Sequence, residues 1–427
     1  MRGHSLGHRV INALLASFLC LAAGHASAES LESNATSVSL SALPAELQAD
    51  ENKLPDARRL LTYPGIYLPE EMLIPAVDPL LEEEEIVAAD PADNDLWQRI
   101  RAGFQLEPDD RRAVQQQLDW YVRHPAYITR VFTRAKRFLP YIVAEAESRG
   151  MPLEVALLPV VESAFDPFAY SHGRAAGLWQ IIPGTGKRFG LKQNWWYDGR
   201  RDPVAATHAA LDYLEYLHKL LDNDWLLAVA AYNSGEGNVK RAQRKNLNRS
   251  RDTDFWSLSL PKETEAYVPK LLAIRAVVAD PESLGLTLPA IEDTPYFEEV
   301  LTDSQIDLAL AADLAGLDID ELYALNAGFN RWATDPDGPH RLMVPVDAAP
   351  VLTQALADLM TMRESSQKNL SEIAVCFMGD VGNNTATSLM VGAALMGMDI
   401  RLCGPHQCWP DEATVNMQPE VGKGVVL

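Results

Sequence analysis

Cysteine is nearly missing from this chain. Four occur in 427 residues, and none lies between residues 29 and 375. That stretch therefore cannot hold a disulfide framework, a thiolate metal site or a thiol nucleophile. Cys376, Cys403 and Cys408 crowd the last part, where three thiols cannot all pair within one chain. Such an arrangement suits a reducing compartment better than an oxidising one. Basic residues are also few: 37 Lys and Arg face 59 Asp and Glu, for a net charge of -22. A surface this acidic repels phosphate backbones and argues against nucleic acid as a partner. Histidines show no zinc-ligand spacing, and His172, His208 and His218 read as surface or core-edge residues. No metal and no cofactor is expected. After the N-terminus, no apolar run is long enough to span a bilayer.

What is present divides the chain sharply. Arg2 and Arg9, an apolar run over 10–23 and Ala26-Ser27-Ala28 form the pattern of a secretory signal over 1–28. Cys20 would suit a lipoprotein signal, but bulky Leu19 precedes it where a small residue is wanted. Residues 29–95, with the run Glu82 to Glu85, read as an acidic linker with at most a short helix. Strand signals are almost absent from 96–280. Helical spacing recurs there instead, over 96–104, 111–123, 128–149, 153–163, 204–221, 225–232 and 263–279. Asp202 and Asp224 are placed to cap helices, and Pro140 should kink the helix of 128–149 or shift its hydrogen bonding. Residues 281–350 form a linker and a small unit of strand, two helices and strand. The rest, 351–427, is a helix followed by one βαβ unit with no further strand to complete a sheet.

A second carboxylate is missing where the chemistry is richest. Glu162 closes the apolar run Leu157 to Val161, and only Asp166, in a proline turn suited to capping backbone, lies near it in sequence. A lone carboxyl group against apolar residues keeps its proton towards neutral pH, as a general acid requires. An isolated Glu at a helix end is otherwise an ordinary solvated or ion-paired residue. Trp195, Trp196, Tyr197 and Trp256 suit a sugar groove or plain core and rim packing.

Four ordered elements change that balance: Glu162-Ser163, Ser171 with Gly177-Leu-Trp-Gln180, Ala230 to Gly237, and Glu263-Thr-x-x-Tyr-Val268. Together they resemble the catalytic domain of family 1 lytic transglycosylases over residues 120–280. The resemblance implies a mainly α, lysozyme-like fold and cleavage of peptidoglycan glycan strands. It implies that Glu162 is catalytic, first as acid and then as base, with the sugar's acetamido group standing in for a second carboxylate. The product would be a 1,6-anhydro sugar, with no water consumed. By the same resemblance Ser171, Gln180, Tyr232, Asn233 and Tyr267 contact substrate or the acid, and Trp179 replaces a common Met on the groove wall. Leu325 to Trp332 and Gly338 to Leu342 are similar to the block that follows the catalytic domain in one membrane-bound branch of the family, where LysM-like repeats occur. A degenerate glycan-binding role and a purely structural one both remain open for 281–350.

The C-terminal block resembles the ornithine-binding half of ornithine carbamoyltransferases through Gly379-Asp-x-x-Asn-Asn384, Ser388 to Ala394, Gly397 to Leu402 and Cys408-Trp-Pro410. Asn384 would then be a substrate contact. The carbamoyl-phosphate loop of that family has no counterpart here, so half a site cannot catalyse the transfer; the block reads as an orphan fragment joined by fusion, either of genes or of assembled sequence reads. The chain is thus expected to be an exported peptidoglycan lyase of the periplasm or envelope, with peripheral membrane association possible and oligomeric state undetermined. A catalytically silent glycan-binding envelope protein and a hydrolysing muramidase are the alternatives.

Overall fold

The computed structural model describes residues 94–378, 381 and 384–404. The expected signal, the acidic linker, most of the Gly379–Asn384 loop and Cys408 lie outside the described residues. The chain divides into two units, one covering Glu82–Ser366 and the other carrying Gln367–Leu427.

The larger unit is helical over its first two-thirds. Helices α1 (Leu96–Ala102), α2 (Arg112–Val122), α3 (Pro125–Ala135) and α4 (Leu139–Ser148) open it. The single helix expected over 128–149 is in fact two. Pro140 sits in the first turn of α4, where its missing N–H costs nothing, and the chain turns at Lys136–Phe138 to reach that position. Leu153 to Glu162 is likewise split, into a 3-10 turn (Leu153–Leu157) and the five-residue α5 (Leu158–Glu162). After the short α6 (Pro183–Arg188) come α7 (Pro203–Leu220), α8 (Trp225–Ser234), α9 (Glu236–Leu247) and α10 (Lys262–Ala279). Asp202 and Asp224 cap α7 and α8 as their side chains predict, accepting from the amides of Ala205 and Leu227.

The core sits where these helices meet. Trp97, fully buried, packs edge-on to Phe132 at 4.8 Å and donates its indole N–H to the Pro289 carbonyl at 2.8 Å. Burying side chains of this size contributes roughly 2–3 kcal/mol each. α8 is apolar on every side and lies inside the bundle. Glu154 is a buried carboxylate on a hydrophobic turn. It accepts from the amides of Gln105 and Leu106 and from Arg275 on α10, so its charge is matched.

The last part of this unit matches the expected strand, two helices and strand. β1 (Phe297–Leu301) pairs antiparallel with β2 (Arg341–Pro345), from Phe297 opposite Pro345 to Leu301 opposite Arg341. Between them run α11 (Leu308–Ala315) and α12 (Ile319–Leu325), capped by Asp307 and Asp318. α13 (Ala349–Ser366) packs against β1. A half-buried ion pair joins this part to the helical one: Arg137 donates twice to Glu321, at 2.7 and 3.0 Å, and Tyr296 donates to the same carboxylate.

The second unit contains β3 (Ala374–Met378) and β4 (Asp399–Cys403), paired in parallel around α14 (Asn384–Leu395). Cys376 and Cys403 are free and exposed. Among the described residues no helix is long and apolar enough to cross a membrane.

Candidate active site

The acid is placed by an abrupt helix end. α5 stops at Glu162 because the chain reverses at once: Ala164 and Phe165 both take left-handed backbone angles, at φ 53° and 57°. Two such residues in succession cost on the order of 2 kcal/mol, offset here by burial of the Phe165 ring. Ser163 ties the reversal down by donating to the Leu178 carbonyl at 2.9 Å. Asp166 accepts from the Phe168 amide at 2.8 Å, the backbone role expected of it. The following loop folds back through Gly177, at φ 77°, whose absent Cβ would lie 2.1 Å from the Arg200 carbonyl. Arg200 in turn donates to the carbonyls of Arg174 and Ile181, bracing the loop from outside.

Glu162 is half-buried, and its pKa is raised to about 7. Burial is the main cause and exposed Glu263 adds to it; the hydrogen bond from Tyr267 and the charge of Lys270 act in the opposite direction. The Tyr267 hydroxyl donates a short hydrogen bond to Glu162 Oε1. Burial first, then the neighbouring Glu162 charge, keeps the phenols of Tyr267 and Tyr232 well above their ordinary range, so both stay neutral donors. Near pH 7 this carboxyl group exchanges its proton at little cost in either direction.

The remaining candidates make their hydrogen bonds to other partners. Tyr232 donates to the Trp179 carbonyl at 2.8 Å rather than to Glu162. Gln180 has φ 45° and donates to the Ala169 and Gly177 carbonyls, holding the loop's shape. Ser171 closes the turn at the loop tip, where its Oγ accepts from the Ala175 amide at 3.1 Å. Asn233 accepts from Thr264 at 2.7 Å. Thr264 was not singled out as a site residue, although it lies within the Glu263–Val268 element. It links α8 to α10 three residues before Tyr267. A second carboxylate, Glu236, is partly desolvated, yet its own backbone N–H, Arg188 and Tyr213 together hold it below the usual range and keep it ionised.

Two expectations need correction or refinement. Trp179 is no groove wall: it is fully buried and donates to Thr207 at 3.0 Å, so its bulk belongs to the core. The aromatic group divides, with Tyr197 buried against Phe329 and bonded to Asp202, while Trp195 is exposed.

Tyr267→Phe should lower turnover about tenfold, the usual cost of one buried hydrogen bond to a reacting group. Because that bond holds the Glu162 pKa down, the alkaline limb of the rate profile should move upward. A pH series on the variant checks this, and an unmoved limb contradicts it.

Comparison with known proteins agrees with this geometry. The profile described as "Transglycosylase SLT domain" matches residues 140–255. Over 265 residues the chain is 43% identical to membrane-bound lytic murein transglycosylase D of Escherichia coli (strain K12), covering 62% of this chain and 59% of that one. A candidate tributyltin chloride resistance protein of Alteromonas sp. (strain M-1) is 38% identical over 189 residues, which span 43% of this chain and 89% of that protein. The chain carries a transglycosylase SLT domain. Its match thus spans about six-tenths of the murein transglycosylase's length. Tyr267 lies beyond the matched SLT segment, yet the fold brings it onto Glu162. A second profile, "Lytic transglycosylase MltD, LysM-like domain", matches 296–361 and so contains both β1 and β2. The C-terminal block matches "Aspartate/ornithine carbamoyltransferase, Asp/Orn binding domain" over 371–424. It is 52% identical over 60 residues to a catabolic ornithine carbamoyltransferase of Rhizobium meliloti (strain 1021), of which it covers 18%.

Proposed function

We propose that this chain cleaves the β-1,4 bond between N-acetylmuramic acid and N-acetylglucosamine in peptidoglycan, releasing a 1,6-anhydro end. The observation that carries the reading is Glu162 itself: a carboxyl group whose pKa is raised to about 7, bonded by Tyr267, with its neighbour Ser163 tied to Leu178 of the motif loop. Its proton passes to the leaving glycosidic oxygen as the bond from that oxygen to C1 breaks. The substrate's acetamido oxygen shields the electron-poor C1. The Glu162 carboxylate then takes the proton of the muramic acid C6 hydroxyl, and O6 closes on C1. One carboxyl group gives and regains one proton, and no water enters. The nearby acids support a single-residue mechanism, since Asp166 binds a backbone amide and Glu236 is matched by Arg188. Ser171, Gln180, Tyr232 and Asn233 shape and line the groove that holds the glycan strand.

The same reading places the chain in the periplasm or cell envelope, as the membrane-bound relative's name suggests. The orphan carbamoyltransferase-like block takes no part in cleavage. Mass analysis of the products released from purified murein sacculi provides the test. Anhydro-muropeptides, lighter by one water than products with reducing ends, are expected. Reducing ends would establish a hydrolysing muramidase instead, and no release would leave a glycan-binding protein without activity.

A further inference from the structure

Asn233 uses one end of its side-chain amide and leaves the other open. The Thr264 hydroxyl donates to its Oδ1 at 2.7 Å. The two ends of an amide offer different chemistry: the oxygen accepts, and the nitrogen donates twice. Thr264 therefore sets which end of Asn233 faces α10. The nitrogen is turned the other way, where it meets no acceptor among the described residues. It is not a buried orphan either, because Arg331 Nε is the one such side-chain atom among them. Asn233 Nδ2 thus opens to water with both N–H groups unengaged.

Other asparagines of the same unit behave differently. Asn194, Asn238, Asn246, Asn326 and Asn330 each donate a side-chain N–H to a protein acceptor, at 2.7 to 3.2 Å. Asn246 and Asn326, both buried, donate twice. Asparagines that hold a fold together are satisfied at the nitrogen. Asn233, half-buried at the end of α8, departs from that pattern.

The bond also lies at the acid's own junction. Tyr232, the residue before Asn233, is close enough for the Glu162 charge to raise its pKa. Tyr267, one turn along α10 from Thr264, donates to Glu162. Thr264 is 1% exposed, so water does not compete for its hydroxyl, and that hydroxyl bonds Asn233 rather than the carboxyl group.

We propose that Thr264 is a positioning residue, which locks the Asn233 amide with its nitrogen outward so that Asn233 donates to an oxygen acceptor of the bound glycan. The choice of a glycan rests on the catalytic reading above. Acetamido carbonyls and ring hydroxyls supply such oxygens. The lock acts on binding, since neither side chain exchanges a proton with the reacting atoms. Without it the amide is free to turn over, and the cost of fixing it falls on the binding step.

The test reads KM and kcat separately on soluble murein fragments, with thermal melts alongside. Thr264→Val keeps the shape and removes the hydroxyl. It should raise KM about five- to tenfold, with kcat within about twofold and the alkaline limb of the pH profile in place. Thr264→Ser should restore KM to within about twofold of wild type. Asn233→Asp keeps an acceptor for Thr264 but loses the N–H donors, and should raise KM about tenfold or more. Added to Asn233→Ala, Thr264→Val should cost less than about twofold further, because both act through one contact. A purely structural tie between α8 and α10 predicts otherwise. Thr264→Val would then displace Tyr267, lower kcat and move the alkaline limb upward, and that result overturns the proposal. A wild-type KM in Asn233→Asp overturns it too, since the oxygen and not the nitrogen would then face the strand. If Thr264→Val fails to fold, Asn233→Asp still decides between these outcomes. The same ranking is expected in dissociation constants for a hexamer of N-acetylglucosamine on Glu162→Gln chains, where no bond is cut and the ligand carries no charge. Constants that follow the ranking without cleavage by the wild type refute only the catalytic reading. Wild-type cleavage with constants unchanged across the variants refutes only this inference.

Discussion

Glu162→Gln should abolish release of soluble muropeptides from sacculi while leaving the chain folded. The amide matches the carboxyl group in shape and still accepts the Tyr267 hydroxyl, but it can neither give nor take a proton. General acid–base catalysis contributes roughly 10²–10⁴-fold, and in the proposed mechanism one group serves both steps, so the upper end of that range is expected. The same substitution should change stability in a direction set by pH. Burial raises the Glu162 pKa from an ordinary 4.5 to about 7 in the folded chain. Between those values the folded state holds more protons than the unfolded state, so the stability contributed by the neutral carboxyl is complete below about 4.5 and is lost as pH rises through 7. The glutamine variant escapes that loss. Above pH 7 it should be more stable than the wild type by up to about 3 kcal/mol, and equal to it near pH 4. Thermal melts of both proteins at the two pH values, beside a product assay, check the claim. Appreciable residual cleavage, or a variant that melts lower at pH 8, would contradict it.

Gly177→Ala should cost the fold more than any other change of one methyl group in the motif loop. The residue sits at φ 77°, and an added Cβ would meet three backbone atoms of Arg200 and Arg201, the nearest at 2.1 Å. Backbone cannot swing aside as a flexible side chain does. Left-handed strain alone costs about 1–2 kcal/mol, and relief of the clash must move either the loop or the Arg200 segment. A loss of roughly 3–4 kcal/mol is expected, with a melting point lower by about ten degrees. Activity should fall further than stability explains, because Ser163 binds the Leu178 carbonyl and Tyr232 binds the Trp179 carbonyl, the two residues after Gly177. A melt within two degrees of wild type would show that the loop yields more easily than its contacts imply.

Much of this site was legible before any coordinates. Glu162 stood out because it ends an apolar run, and burial is the main cause of its raised pKa. Asp202 and Asp224 announced their helices through capping chemistry, which is local. The strand, two helices and strand of the LysM-like part could be read from alternation and turn residues. Trp179 was misread for the opposite reason. Whether an indole faces a groove or a core depends on Thr207, 28 residues later, which accepts its N–H. Pro140 marked a disturbance in 128–149, but the full break of α3 from α4 was not legible because the apolar spacing runs smoothly across it. Thr264 escaped notice as well, since a buried threonine reads as filler until Asn233 is placed opposite it.

What the sequence determined by itself was therefore chemical type and local form: one acid in an apolar setting, the ordered motifs, the helix caps, and the change of character near the C-terminus. Tertiary structure alone decided which groups share a charge and which surface is open. Tyr267 lies 105 residues from the carboxyl it binds, and Thr264 lies 31 residues from the amide it holds. Periodicity and capping act over a few residues and leave a mark in the sequence. Desolvation and hydrogen-bond partnership depend on everything packed around a group, so they exist only once the chain has closed on itself.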